Sequence, residues 1–186
     1  MDEVKKKNPK AKCELWAFDE HRIGLKPLIR KVWMPDGCYP ETIVNHRFIW
    51  SYLYGFVCPE NGETYWFIMP TTDVEIFNIV LENFAKDLGI GSEKQIILVI
   101  DNAGWHTSKD LIIPEGINFI FIPAYTPELQ PAEKLWSLTN EYIANRNFDN
   151  IEQLEEAQSI GCSKISSQLD VVKSYTLFHW WPEIAC

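Results

Sequence analysis

Asp19, Asp101 and Glu133 are the residues of this chain whose surroundings suggest chemistry. Asp19 directly follows the strand-like segment Cys13–Phe18, and Asp101 directly follows the apolar run Gln95–Ile100. Glu133 sits in the opening turn of a helix that Pro131 introduces. A lone Asp or Glu is ordinarily solvated surface, and Glu133 by itself would suit the positive end of its helix. Carboxylates from two strand ends and a neighbouring helix are a different matter, because open α/β sheets gather their sites at the carboxyl ends of strands. Together they can form an all-oxygen cage of the kind Mg²⁺ and Mn²⁺ prefer. Two such ions, about 3.5–4 Å apart, polarise a phosphodiester, activate a water and stabilise the departing oxygen.

The elements that must position these acids follow from residue period and punctuation. Cys13–Phe18 reads as a first strand. Leu28–Met34 has the composition of another, closed by the turn residues Pro35-Asp36-Gly37. Trp50–Val57 and Thr64–Met69, rich in aromatic and β-branched residues, flank Pro59-Glu60-Asn61-Gly62 and predict a hairpin. Phe77, Val80, Leu81, Phe84 and Leu88 then recur at helical spacing, with Thr72-x-x-Glu75 as a capping box and Gly89 as the stop. Gln95–Ile100 reads as a strand covered on both faces. A short helical stretch near Ser108–Leu111 leads to another buried strand, Ile117–Ile122. Helices are expected over 132–144 and 151–160, and an aromatic tail with Phe178, Trp180 and Trp181 closes the chain. Residues 1–12, with five lysines against two acids, read as a solvated lead-in or linker. The pattern predicts a single α/β domain over 13–186. Its mixed central sheet would hold three antiparallel strands and then parallel ones, flanked by helices.

Composition narrows the function. A length of 186 residues fits one domain, and 8 Trp, 7 Tyr and 10 Phe exclude disorder for most of it. The 17 Lys and Arg against 26 Asp and Glu leave a net charge of −9. That is the wrong sign for a free-standing nucleic-acid binder, so any DNA function must rest on local basic patches, bound metal or a separate module. No apolar run approaches the roughly 18–20 residues that span a bilayer, and the N-terminus lacks the apolar core of a signal peptide. Cys13, Cys38, Cys58, Cys162 and Cys186 are scattered, which suits a reduced, cytoplasmic protein. His21, His46, His106 and His179 have no zinc spacing, and no glycine-rich phosphate loop is present. Neither a membrane nor a nucleotide cofactor is expected.

Three passages resemble the catalytic domain of bacterial insertion-sequence transposases of the mariner superfamily, the Asp-Asp-Glu (DDE) endonucleases. They are Trp16-Ala17-Phe18-Asp19-Glu20-His21-Arg22-Ile23-Gly24-Leu25, Ile100-Asp101-Asn102-Ala103-Gly104-Trp105-His106 and the stretch from Pro123 to Trp136 that contains Pro131-Ala132-Glu133. The 31 residues between Asp101 and Glu133 are similar to the spacing in the bacterial branch. Gln130 stands where the family has Asn, a change that leaves the acids in place and is expected to loosen the loop before Glu133. The resemblance covers about 13–145 and implies a ribonuclease H-like fold. It also implies that Asp19, Asp101 and Glu133 hold two Mg²⁺ or Mn²⁺ ions and carry the catalysis. The implied chemistry is hydrolysis at transposon ends and attack of the freed 3′-hydroxyl on target DNA. DNA and a second copy of the chain, as a homodimer or higher oligomer, are the implied partners in a bacterial cytoplasm. Such transposases carry a helix-turn-helix region that reads transposon ends. Residues 1–12 supply no recognition helix, so the chain reads as a catalytic half, a truncated element or a second reading frame.

Neighbouring residues have support or DNA-contact roles available. Glu20 should face away from Asp19 by strand alternation and reads as a supporting acid. His106 can orient a phosphate or the loop after Asp101, and Asn102 can bond Asp101 or DNA. Trp105 reads as packing. Arg22, Lys26, Arg30 and Lys31 form a basic stretch without an acid among them, suited to the DNA backbone or to a solvated strand face. Two other functions remain open on the sequence: an inactive remnant that dimerises through the Phe178–Trp181 tail, and a ribonuclease H-like nuclease for RNA–DNA hybrids or branched DNA.

Overall fold

The computed structural model describes residues 2–7, 9–39, 41, 47–124 and 126–182. His46, Tyr125 and Cys186 lie outside them. The sheet is built from β1 (Lys12–Gly24), β2 (Trp50–Cys58), β3 (Glu63–Met69), β4 (Lys94–Ile100) and β5 (Ile117–Phe121). Their spatial order is β3-β2-β1-β4-β5. β1, β2 and β3 pair antiparallel, whereas β1 pairs parallel with β4 and β4 with β5. The expected mixed sheet is therefore present, and with helices on both faces the architecture is ribonuclease H-like.

Side-chain alternation explains why both faces of the sheet are apolar. Trp16, Phe18, Tyr54, Phe56, Ile96, Leu98 and Ile100 point to one side, where α2 (Val74–Asp87) covers them with Phe77, Val80, Leu81 and Phe84. Leu15, Ala17, Leu53, Val57, Ile97 and Val99 point to the other. There α3 (Glu133–Thr139), α4 (Ile151–Ser166) and α5 (Leu169–Thr176) contribute Leu135, Trp136, Cys162, Ile165 and Val172. Covering on both faces is what makes β4 a continuous apolar run.

Several boundaries depart from the sequence reading. β1 does not stop at Phe18 but continues through Asp19 to Gly24, because β2 keeps pairing with it as far as Gly24↔Trp50. α2 is capped by Asp73, whose carboxylate accepts from Ile76 N at 2.8 Å, one residue later than the expected box from Thr72. Its end matches expectation. Gly89 has φ of +63°, and Ile90 N–H returns to Ala85 O, a left-handed glycine stop. No helix forms near Ser108–Leu111, where a single turn bond joins Leu111 N to Ser108 O. Leu28–Met34 is not a strand and pairs with no strand among the described residues; its backbone is bonded instead by Asn145, at Leu28 O and Arg30 N.

The helices after β5 differ too. α3 is shorter than expected: it tightens into a 3₁₀ turn over Asn140–Tyr142, and Asn145 then reverses the chain at φ of +56°. α4 runs past Ile160 to Ser166, and α5 follows it without a clear signal in the sequence. Residues Asp2–Lys7 form a short helix, α1, instead of a solvated lead-in, because Val4 packs against the core. In the tail Trp181 is itself core, while Trp180 stays half exposed. Among the described residues no helix is long and apolar enough to cross a membrane.

Gly161 shows why α4 outruns its expected end. A Cβ there would come within 2.7 Å of the Tyr142 ring, so the glycine serves close approach between helices and not termination. Gly161→Ala should consequently lower the thermal midpoint, although alanine is intrinsically the better helix former by about 1 kcal/mol. Tyr142→Ala in the same chain should recover part of that loss in a double-mutant cycle. A simple gain from Gly161→Ala would contradict the packing.

Candidate active site

The register of the parallel strands brings the first two acids together. The last β1–β4 pair is Ala17↔Val99, and two residues further along each strand stand Asp19 and Asp101. The chain leaves β4 at Asp101, and the loop after β5 returns to open α3 with Glu133. Asp19, Asp101 and Glu133 consequently line a single cleft of about 380 Å³, shared with Asn102, Ile122 and Gln130.

Asp19 is the deeper acid. Trp136, three residues after Glu133 on the same helix, donates its indole N–H to Asp19 Oδ2 at 2.9 Å. The opposite face of the sheet makes no demand on this contact, but the strand beside Asp19 does. Its partner in β2 is Gly55, where a Cβ would lie 2.8 Å from the Trp136 ring. The missing side chain is what lets the indole lie over the strand and reach the carboxylate. His21, on the same face of β1, stacks on Trp136 at 5.0 Å between centroids. Burial, with the nearby charges of Glu133 and Glu20, pushes the Asp19 carboxyl up to about 8 despite the Trp136 bond.

Asp101 is half-exposed and held differently. His106 Nδ1 donates to Asp101 Oδ1 at 2.7 Å, and Ala103 N–H donates to the same oxygen at 3.0 Å. The His106 bond, resisted by partial burial, holds the Asp101 carboxyl below its usual range. His106 is fully buried, and its Nε2 meets Glu20 Oε1 at 3.0 Å. Burial pulls the imidazole down, but the bonds to Asp101 and Glu20 outweigh it and carry the group up to about 9. Trp105 Nε1 also donates to Glu20 Oε1, at 2.9 Å. Burial and the charge of Asp101 push Glu133 up, against the pull of Lys134.

The remaining expected residues fall as follows. Glu20 does face away from Asp19, toward α2, as alternation requires. Asn102 does not bond Asp101: its amide donates to Ile122 O at 2.5 Å and ties the end of β4 to that of β5, while the residue stays exposed in the lining of the cleft. Gln130 does not loosen the loop before Glu133. It is 2% exposed, and its amide reaches Phe18 O at 2.9 Å, anchoring the loop to β1 one residue before Asp19. Of the basic stretch, Arg30 pairs with Glu141, and Arg22 lies over the Trp50 ring at 4.4 Å. Lys26 and Lys31 are exposed. Arg22 and Lys26 line a hollow of about 200 Å³ with Arg146, next to the acidic cleft but not part of it. Trp136 and Gly55 were given no role by the sequence reading, although Trp136 shares a helical face with Glu133.

A family model described as DDE superfamily endonuclease matches residues 14–155. This chain belongs to that family. Among curated proteins, the uncharacterized protein y4pE/y4sA of Sinorhizobium fredii (strain NBRC 101917 / NGR234) is 28% identical over 133 residues, 71% of this chain and 97% of that one. Among solved structures, the Mos1 transposase paired-end complex with left transposon end has a TM-score of 0.55 at 18% identity, covering 92% of this chain and 57% of that chain. An intasome of simian T-cell lymphotropic virus also scores 0.55, at 13% identity and 95% coverage of this chain. The DDE chain thus has the catalytic-domain fold of transposases and integrases, and it spans a little over half the length of the Mos1 chains it matches.

The pKa of Asp19 makes a stability prediction with a definite sign. An acid raised on folding stabilises the protein below its unfolded pKa and loses that contribution as pH climbs to the folded value. For Asp19 the window lies between 3.8 and about 8. His106, raised from 6.5 to about 9, loses its contribution in the same direction over its own window. In chelator the chain should therefore lose stability from pH 5 to 8, at up to about 1.4 kcal/mol per pH unit from Asp19. Thermal midpoints across that range should flatten in Asp19→Asn; an identical profile would mean that Asp19 titrates as an ordinary carboxyl.

Proposed function

We propose that this chain is the divalent-metal-dependent catalytic domain of a bacterial transposase, which hydrolyses DNA at transposon ends and joins the freed 3′-hydroxyl to target DNA. The observation that carries this reading is the convergence of Asp19, Asp101 and Glu133, from three different elements, on one cleft. Membership of the DDE endonucleases supports it, as do Mos1 paired-end complexes solved with Mn and with Mg.

The donor set fits a hard divalent cation. The three acids offer oxygen alone, and Asp19, raised to about 8 chiefly by burial and further by the charges of Glu133 and Glu20, has no cation beside it among the described residues to offset that shift. Among the described residues no group of three His, Cys, Asp or Glu side chains is already arranged to hold an ion, so the acids share the cleft without yet closing on a common point. Mg²⁺ or Mn²⁺, when bound, would supply Lewis-acid polarisation of the phosphodiester and activation of the attacking oxygen.

The chain's own residues do the positioning. Trp136 fixes one oxygen of Asp19. His106 and Ala103 both bond Oδ1 of Asp101, so Oδ2 accepts no hydrogen bond among the described residues and remains available to a ligand. Glu133, exposed at the first turn of α3, adds the third carboxylate to the lining of the cleft. Gln130 sets the height of that turn by holding the loop to Phe18. Both reactions are in-line displacements at phosphorus, so one set of acids can serve hydrolysis and joining alike.

Calorimetric titration of Mn²⁺, with duplex DNA absent and then present, tests the assignment. Asp101→Asn should abolish measurable Mn²⁺ binding. Asp101→Asn and Glu133→Gln should each lower Mn²⁺-dependent strand cleavage by at least about 10²–10³-fold, the usual cost of losing a group that stabilises transition-state charge. Wild-type binding and cutting by Asp101→Asn would remove it from the site. A preference for RNA–DNA hybrid over duplex would favour a ribonuclease instead.

A further inference from the structure

We infer that Glu20 is a positioning residue of the site, acting through His106 to fix the carboxylate of Asp101 from the opposite side of the sheet. The inference rests on the metal-site reading above and deepens it by adding a residue outside the cleft. Glu20 does not line that cleft. Its side chain is 7% exposed, and the His106 ring it contacts is 1% exposed. Glu20 Oε1 accepts from two ring donors, Trp105 Nε1 at 2.9 Å and His106 Nε2 at 3.0 Å. The other ring nitrogen, Nδ1, bonds Asp101 Oδ1 at 2.7 Å.

Chemistry sets the direction of each bond. An ionised carboxylate only accepts, so both ring nitrogens must donate and the imidazole is committed at both ends. The ring has no third partner with which to exchange. Phe18 and Phe77 wall it in, at centroid distances of 5.7 and 4.6 Å. Its plane and its distance from Asp101 therefore depend on what Nε2 meets. That partner is Glu20, which β1 supplies from the residue after Asp19. One dipeptide of one strand thereby serves both faces: Asp19 enters the cleft, while Glu20 sets the second acid through the ring. Orienting partners behind ligating groups typically change metal affinity by about 10–100-fold.

The test uses the full chain as wild type, Glu20→Ala and Glu20→Gln; the last keeps an oxygen acceptor where the carboxylate was. Long-range proton–nitrogen spectra of histidine-labelled protein read the relay without metal, with His106→Gln assigning its signals among the 4 histidines. In Glu20→Ala the Nδ1–H resonance, which reports the bond to Asp101, should move although the substitution lies at the far nitrogen. Mn²⁺ affinity, measured well below each variant's melting temperature, should fall about tenfold in Glu20→Ala and recover to within about threefold in Glu20→Gln. Unmoved His106 signals, or Glu20→Ala binding Mn²⁺ as wild type does, would overturn the relay and leave the metal reading standing. Moved signals in a chain whose wild type binds no Mn²⁺ would support the relay and count against the metal reading instead.

Discussion

Taking a carboxylate out of water costs several kcal/mol unless a donor or a cation meets it, and the centre of this molecule is arranged around that cost. Asp19 and Glu20 are consecutive in the middle strand of the sheet, so alternation sends one to each face. Each face then has to provide a donor within reach. On one side it is the indole of Trp136; on the other it is the paired rings of Trp105 and His106. The choice of donor matters for chemistry. An arginine would satisfy a carboxylate through a charged, bidentate fork and would compete with any cation for both oxygens. An indole N–H occupies one oxygen and adds no charge. The indole thus leaves the cleft's negative charge uncompensated, and burial, aided by the charges of Glu133 and Glu20, raises the Asp19 carboxyl.

Much of the fold can be understood as what those donors require. Trp136 reaches Asp19 only because Gly55 leaves room above β2 and because α3 begins at Glu133, one turn earlier. α3 begins there because Gln130 ties its entry loop to Phe18 O. His106 reaches Asp101 because the chain turns back after β4, closed by His106 N–H on Ala103 O at 3.0 Å. The phenylalanines that cover the sheet under α2 also enclose the imidazole, so hydrophobic core and polar relay are one packed layer. The site and the core cannot be altered independently at Phe18 or Phe77.

What the sequence made legible follows from range. The acids could be found because each stands where an apolar run ends or a helix opens, a local signal. The strands and α2 could be found because one face or both faces of the sheet are apolar at a fixed period. The relay from Glu20 to Asp101 could not, since its first bond joins Glu20 to His106 across 86 positions, and no spacing rule links them. The same holds for Gln130, whose amide bonds a carbonyl 112 residues away. The helix expected over 151–160 runs on through Gly161, because that glycine admits the Tyr142 ring, a long-range contact no local signal announces. Leu28–Met34 has strand composition, but strand formation needs a neighbouring edge, and composition carries no information about that.

Net charge poses the remaining question on the proposed reading, because a chain of charge −9 must bring a phosphate backbone to a cleft of carboxylates. The distribution of charge resolves it better than the sum. Arg22, Lys26 and Arg146 share a hollow beside His21, two residues beyond Asp19 on the same strand face, whereas Arg30 is spent on Glu141. A strand lying along that hollow would have cations under its backbone up to the edge of the cleft and repulsion from there onward. The acids themselves would have to be neutralised before the scissile phosphate could enter. Cation binding and strand entry are then coupled: each lowers the electrostatic cost of the other, and the local field makes the cation a condition of substrate access as well as of chemistry.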